Sequence, residues 1–580
     1  MTAAAIAALV AMALVALVSA AIGALGVRVA RSTSDFLVAS RTVAPASNAG
    51  AISGEYLSAA SFLGVAGLLL RDGADALWYP VGFAAGYLAL LMFVAAPLRR
   101  SGAYTVPDFA EARLGSPAVK RISTVLVLVI GWLYVLPQLQ GAGLTVATVT
   151  GLPAWTGVLT AGVVVVGTVV LGGMRSITFV QAFQYWLKLT AVTIPAIIAV
   201  AVFWNGGNTL DRPAPPQFRE DTRVSIETDV RLSVTEPVAV VATGLVDGSQ
   251  VRGAPLVWLP GEHTAAEGSE LAFSAGSPVP VVAGAPETDE EWLLPGGEES
   301  LLATYSLIIA TFLGTMGLPH VLVRFYTNPD GRAARRTAVY VLAMLGGFYV
   351  MVTLLGVVSR LYTPQLLVGG DTDAAVLLLP QAVLGDEALG IAVAAVVAAG
   401  AWAAFLATSS GLVVSVAGVL STDVFRRRGV RDFRISAVIA GVVPLALALF
   451  VTRLDFSEAV ALVFAVAAST FCPLLLLGIW WRGLTDHGAV TGLLAGGGIS
   501  AGAVVLSLLG VGVDGWLGVL LYRPAIVSVP VAFCTMIGVS LITSGRRPPG
   551  VDQVLLRMHA PERLGLSRDR LDDEDRKPTA

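Results

Sequence analysis

The chain has 580 residues, 56% hydrophobic and 13% charged, with a mean hydropathy of +0.78; it is too apolar and charge-poor for an ordinary soluble domain, so the bilayer is its solvent. The formal net charge of −3 comes from 37 basic and 40 acidic residues, and no global basic field points to a nucleic-acid partner. Cys472 and Cys534 fall inside apolar runs and read as small buried hydrophobes, not as a disulfide or a thiolate metal site.

A transmembrane helix needs about 20 consecutive apolar residues to cross about 30 Å of hydrocarbon. Thirteen stretches qualify: 3 to 26, 45 to 70, 76 to 97, 122 to 149, 154 to 173, 177 to 204, 300 to 323, 337 to 359, 388 to 422, 435 to 452, 458 to 480, 487 to 510 and 522 to 544. The first lacks a basic leading region and carries Arg28 and Arg31 on its far side, so it reads as a retained span with its N-terminus outside. Alternating from there, the loops placed inside hold Arg99, Arg100, Arg113, Lys120 and Arg121, then Arg175, then Arg324, Arg332, Arg335 and Arg336, then Arg426, Arg427, Arg428, Arg431 and Arg434. The short outside segments hold only Arg71, Arg360, Arg453 and Arg523. This asymmetry agrees with a cytoplasmic C-terminus and a multi-pass protein of a bacterial plasma membrane.

One composition shift interrupts the pattern. Residues 205 to 299 hold five arginines against sixteen acidic residues and many prolines. The runs 223 to 235, 238 to 246, 270 to 275 and 278 to 284 mix β-branched residues with turn formers and predict short strands in an extracytoplasmic insert. The tail after 545 is polar, mixed in charge and too short for a kinase or other enzyme domain.

Glycine, proline and ionisable residues are expensive in lipid unless they face a cavity, so they mark working parts. The second span contains Gly50 to Gly64, GAISGEYLSAASFLG, and the seventh reads FLGTMGLPH from Phe312 to His320; both look breakable, at glycines in the second and at Gly-Pro chemistry in the seventh. Five spans separate them, the relation expected of first helices in two inverted five-helix repeats, spans two to six and seven to eleven.

The segments Gly54 to Gly64 (GEYLSAASFLG) and Gly314 to Phe325 (GTMGLPHVLVRF), with Tyr134 to Gly143 (YVLPQLQGAG) and Gly172-Gly173-Met174, resemble the cation/acetate symporter branch of the sodium:solute symporter family. The resemblance covers nearly all of 35 to 204 and 300 to 500. It implies an all-α polytopic membrane protein of about 13 transmembrane helices, with a five-plus-five inverted-repeat, leucine-transporter-like core and the extracytoplasmic β-rich insert. The domains read as an extra N-terminal helix and cytoplasmic loop (1–44), a first repeat (45–204), the insert (205–299), a second repeat (300–482), two C-terminal helices (483–544) and a cytoplasmic tail (545–580).

The resemblance also implies a site. A sodium ion is expected between the carbonyls of Gly54 and Leu57 and a second set from the ninth span, with Ala404 as carbonyl donor and Ala407 and Thr408 at paired hydroxyl positions. Alanine supplies no side-chain oxygen, so either Ser409 contributes through a local shift or the coupling ion is a proton. The Thr408 hydroxyl completes that oxygen set or back-bonds one turn earlier. Glu55 is the natural carrier if protons couple, or else a structural carboxylate at the break. Ser58, Ser61, Tyr134, Gln138, Gly314 and Gly317 are the further candidates for substrate binding or coupling. A carboxylate substrate is expected at the positive half-helix ends around Gly54 and Gly317. Gln140 in the fourth span contacts substrate or packs helices. His320 gates an exit or caps a helix, and Lys188 snorkels or pairs.

The implied function is secondary active symport of acetate or another short monocarboxylate, with Na+ or H+ as coupling ion, no cofactor and no catalytic residues. Another solute such as proline, pyruvate or a sugar is the alternative within the fold. The partners are the substrate and the lipid bilayer, and the sequence leaves the oligomeric state open. No GxxxxGK[ST] loop and no HExxH occurs, which leaves ATP-driven transport and zinc-peptidase chemistry without support. A sensor is expected to append a signalling domain that the tail does not hold.

Overall fold

The computed structural model describes residues 2–27, 43–209, 214–296, 301–425, 429–450, 456–509, 515–561 and 564. Arg28, Arg31, Arg41, Arg426, Arg427, Arg428, Arg453 and nearly all of the tail beyond 561 lie outside the described residues. Among the described residues, eleven helices are long and apolar enough to cross a membrane, or twelve when the bent pair Leu301–Gly317 and Pro319–Phe325 counts as one. The protein is a multi-pass integral membrane protein. The count differs from the expected thirteen at one place. The second stretch is broken, leaving Pro45–Tyr56 too short to span alone, and its second half runs through the tight turn Gly73–Leu77 into the next helix, so that Ala60–Phe93 forms one long element.

The remaining breaks follow local chemistry. Gly173 takes φ +61, a conformation that a Cβ disfavours, and there the helical run divides into Ala154–Met174 and Ser176–Asn205. Thr470 is non-helical and lies between Phe456–Ser469 and Phe471–Trp480, an interruption within the single expected span, which runs over Ala459–Trp480. At the centre, Ala388–Val419 is apolar on all sides and buried along most of its length against Ala154–Asn205 and Pro117–Thr150, as befits a helix with no lipid face. Cys472 is buried as expected, whereas Cys534 is exposed on the outer face of Ala525–Ile542. In a membrane protein an apolar run faces lipid as readily as core, so hydropathy alone does not separate the two.

The insert forms an antiparallel seven-stranded sheet: β1 (Thr222–Ser225), β2 (Val230–Val234), β3 (Val238–Val246), β4 (Ser249–Trp258), β5 (Gly261–Ala265), β6 (Glu270–Phe273) and β7 (Val281–Val282). The order is β1-β6-β3-β5-β2-β7, with β4 paired to β3. Sequence patterning missed β4 and β5 as strands. β4 is largely exposed along its length, so it lacks the alternation that marks a half-buried strand. The sheet core of Phe218, Leu232, Val240, Leu271 and Phe273 is continuous with Leu367, Val368 and Ala375 of the membrane part. Where the chain leaves the sheet, the Trp292 indole donates to the carbonyls of Leu69 (2.7 Å) and Leu70 (3.1 Å), and Arg360 pairs with Asp289 at 3.1 Å.

Candidate cation and substrate site

The first broken helix ends at Tyr56, and Leu57 leaves the helical region at φ −74, ψ 88. The chain re-enters a helix through a wide turn at Ala60–Gly64. The break therefore falls one turn after Gly54, which stays helical for a different reason: a Cβ there would lie 2.2 Å from the carbonyl oxygen of Gln181. The second broken helix bends by 42° at Leu318, which is extended, with Pro319 opening the next segment. Gly314 and Gly317 also remain helical, each allowing a backbone carbonyl, that of Phe464 and that of Ala467, to approach to about 2.5 Å of where a Cβ would stand. They are packing residues of the second break.

Interrupted helices leave carbonyls without their partners four residues on. At the first break, the carbonyls of Gly54 and Leu57 both accept from the Lys188 ammonium, the second at 2.7 Å. Lys188 lies on Ser176–Asn205 with Thr178, Gln181 and Tyr185, positions three, seven and ten residues apart on one helix face. That face meets the broken helix. Arg324 donates from Nε to Glu55 Oε2 at 2.7 Å, from Nη1 to Thr178 at 2.9 Å and from Nη2 to Gln181 Oε1. Gln181 in turn donates to the Ala407 carbonyl at 2.8 Å. Thr408 donates to the Glu55 carbonyl at 2.7 Å, across helices and not to the turn before it. Glu55, Lys188 and Arg324 are 0–1% exposed. One carboxylate, one guanidinium and one lysine amine thus share a buried core, where each polar group needs its partner.

The arginine pattern puts Arg324 in an inside loop. It is instead wholly buried, because Pro319–Phe325 packs in the core as the second half of a broken helix.

The other candidates divide in two. Ala404, Ala407, Thr408 and Ser409 are buried on Ala388–Val419, and the Ser409 hydroxyl makes no hydrogen bond among the described residues. On the other part of the break, Gln138 Oε1 accepts the Ala59 amide at 2.9 Å, so the half-helix end expected to meet a carboxylate is capped by a side chain. Tyr134 pairs with Ser58 and stands edge-on to His320, ring centres 5.3 Å apart. Gln138 Nε2 and both His320 nitrogens are buried without a partner among the described residues. Buried polar atoms with no partner are uncommon unless a ligand or water completes them. Ser61 bonds the Tyr349 hydroxyl at 3.0 Å, and Gln140 is buried on the same helix as Tyr134 and Gln138.

The sequence alone does not reveal the roles of Thr178, Gln181 and Arg324, whereas Lys188, expected to snorkel or pair, is paired. A signal existed: polar residues at helical spacing in an otherwise apolar span.

Helices broken at two buried points around charged and unpaired polar groups define a membrane transport protein with a central site. A profile of the sodium:solute symporter family matches residues 36–212 and 285–496, and the chain belongs to that family. It is a cation-coupled symporter by class. It is 28% identical over 540 residues to a monocarboxylic acid transporter of Corynebacterium glutamicum, covering 87% of this chain and 86% of the relative. It is 29% identical over 480 residues to an uncharacterized symporter, YwcA, of Bacillus subtilis, covering 80% and 79%. A solved Na+-coupled sialic acid symporter, in its substrate-bound outward-open state, superimposes with TM-score 0.59 over 92% of this chain and 98% of its own, at 11% identity, a likeness of fold.

Proposed function

We propose that this protein is a secondary active symporter that takes up acetate or another short monocarboxylate, driven by a gradient of Na+ or H+, by alternating access. It acts as a transporter and not as an enzyme. The observation that carries the reading is the buried cluster of Glu55, Arg324 and Lys188 at a broken helix. With one carboxylate against two cations, the cluster is an electrostatic host for a small anion. The relative named as a monocarboxylic acid transporter supports the substrate class.

In this reading the oxygens of Gly54, Leu57, Ala404, Thr408 and Ser409 belong to the cation-holding part, and Ser58, Ser61, Tyr134, Gln138 and His320 face the substrate. Glu55 couples the two parts. The topology has thirteen spans in a five-plus-five repeat with two C-terminal helices, the N-terminus and the insert outside, and the C-terminus in the cytoplasm of a bacterium.

The test is uptake of labelled acetate, pyruvate and proline into proteoliposomes with sodium and proton gradients imposed separately. Acetate is expected to accumulate above equilibrium under one of the two gradients. Equilibration without accumulation under both would rule out coupled symport, and accumulation of proline alone would move the substrate class.

A further inference from the structure

The geometry of the first break bears directly on the coupling ion. A hard cation is held by several oxygens at once. Here the two carbonyls that the helix break frees both point at Lys188 Nζ. A sodium ion on the same two oxygens would stand against that nitrogen with no water between them, and like charges repel strongly in such surroundings. The rest of the oxygen set is thin. Position 407 is alanine, so besides the Ala404 carbonyl the helix offers only the Thr408 oxygen, whose hydrogen goes to the Glu55 carbonyl, and the Ser409 hydroxyl, unpartnered among the described residues. The residues present therefore do not fit a sodium ion while Lys188 keeps its place.

The lysine is seated by packing. Gly54, with no Cβ, lets the broken helix lie on the Gln181 carbonyl, and from Gln181 two turns of helix bring Lys188 level with the break. Lys188 is 0% exposed, so its stem has no route to water by snorkelling.

The charge sum agrees. With Arg324 and Lys188 cationic and Glu55 anionic, the cluster is already net positive. A carboxylate substrate neutralises it, and a sodium ion would add to the excess.

We propose that the ε-ammonium of Lys188 is the resident, tethered cation of this site, held by the Gly54 and Leu57 carbonyls in the place a sodium ion would take, so that uptake is independent of sodium. The inference rests on the reading of the chain as a symporter. Of the two candidate ions it leaves the proton as the one whose gradient drives uptake.

The decisive measurement compares the wild-type protein with the double variant Lys188→Ala/Ala407→Ser, which vacates the two carbonyls and adds the missing hydroxyl. Binding of radiolabelled sodium and the sodium dependence of the melting temperature are read on purified protein; Lys188→Met, which keeps the volume, controls for loss of fold. The wild type is expected to bind no sodium and to melt at the same temperature in sodium and in choline. Its acetate uptake at a fixed proton gradient is expected to be equal in the two media. The double variant is expected to gain saturable sodium binding and to melt several degrees higher in sodium than in choline.

Saturable sodium binding by the wild type, or an acetate affinity that rises with sodium, would overturn the proposal. So would sodium-insensitivity of the wild type and the double variant alike, because the vacated carbonyls would then not be a cation site. If the double variant is lost on purification, the wild-type sodium binding decides alone. Failure of the wild type to accumulate any carboxylate under either gradient sinks the symporter reading, whereas the binding and melting arms still judge Lys188 independently of transport.

Discussion

Glu55 holds the centre together through both its side chain and its backbone, accepting from Arg324 at 2.7 Å and from Thr408 at 2.7 Å. Glu55→Ala leaves the Arg324 charge buried with neutral partners only, and breaking a buried pair in this way costs about 3 to 5 kcal/mol. Glu55→Gln keeps shape and an acceptor and costs less. Thermal unfolding in detergent orders the two; equal melting temperatures would mean that the pair contributes little. Gly411 is constrained by the same carboxylate, since a Cβ there would lie 2.1 Å from it, so Gly411→Ala is expected to destabilise by forcing Glu55 out of register with Arg324. Thr408→Ala removes one hydrogen bond to a buried carbonyl, a loss of about 1 kcal/mol, while Thr408→Ser preserves the donor. Comparable unfolding of the alanine and serine variants would show that the methyl group, not the hydroxyl, matters at this position.

At the scale of elements, the insert is tied into the membrane helices as well as tethered by its ends. The C-terminal end of Gly331–Tyr362 is pinned by Arg360–Asp289 and by Arg219 lying 4.2 Å over the Tyr362 ring. The end of Val65–Asp72 is pinned by Trp292. These two helix ends belong to the broken first helix and to the helix that packs on it, so the insert grips elements that an alternating mechanism has to move. Trp292→Phe keeps the ring packing and removes the two indole hydrogen bonds, at a net cost of about 1 kcal/mol. Hydrogen exchange is expected to speed up in residues 66 to 77 and to stay unchanged in the β-sheet, whose core does not include Trp292. Faster exchange throughout the sheet would instead make Trp292 part of the insert's own stability.

For the whole molecule, the proposed orientation follows from arginine placement. Single cysteines introduced in a Cys472→Ser/Cys534→Ser background test it. Labelling by an impermeant maleimide from outside is expected at position 250, in the exposed β4 strand, and is expected to fail at position 570 until the membrane is opened. Protection at 250 or outside labelling at 570 inverts the topology.

The sequence by itself determined the membrane class, nearly all of the spans and the two places where helices give way, because each depends on properties local to a segment: hydropathy over about 20 residues, and glycine or proline at a break. Motif resemblance also pointed to Glu55, Thr408 and the Gly54 and Leu57 carbonyls, which the fold brings close together. What only the tertiary structure decided is which groups meet. Glycines 54, 314 and 317 read as hinges and serve as contact points, with the breaks one turn or one residue beyond them, because close approach of a second helix is not written in the helix that yields to it. Arg324 read as an inside anchor and pairs with Glu55, 269 residues away. Lys188 read as snorkelling or pairing without a named partner and meets the first break, 131 residues from Leu57, since a buried amine finds its acceptors through packing of distant segments and no local pattern encodes that encounter.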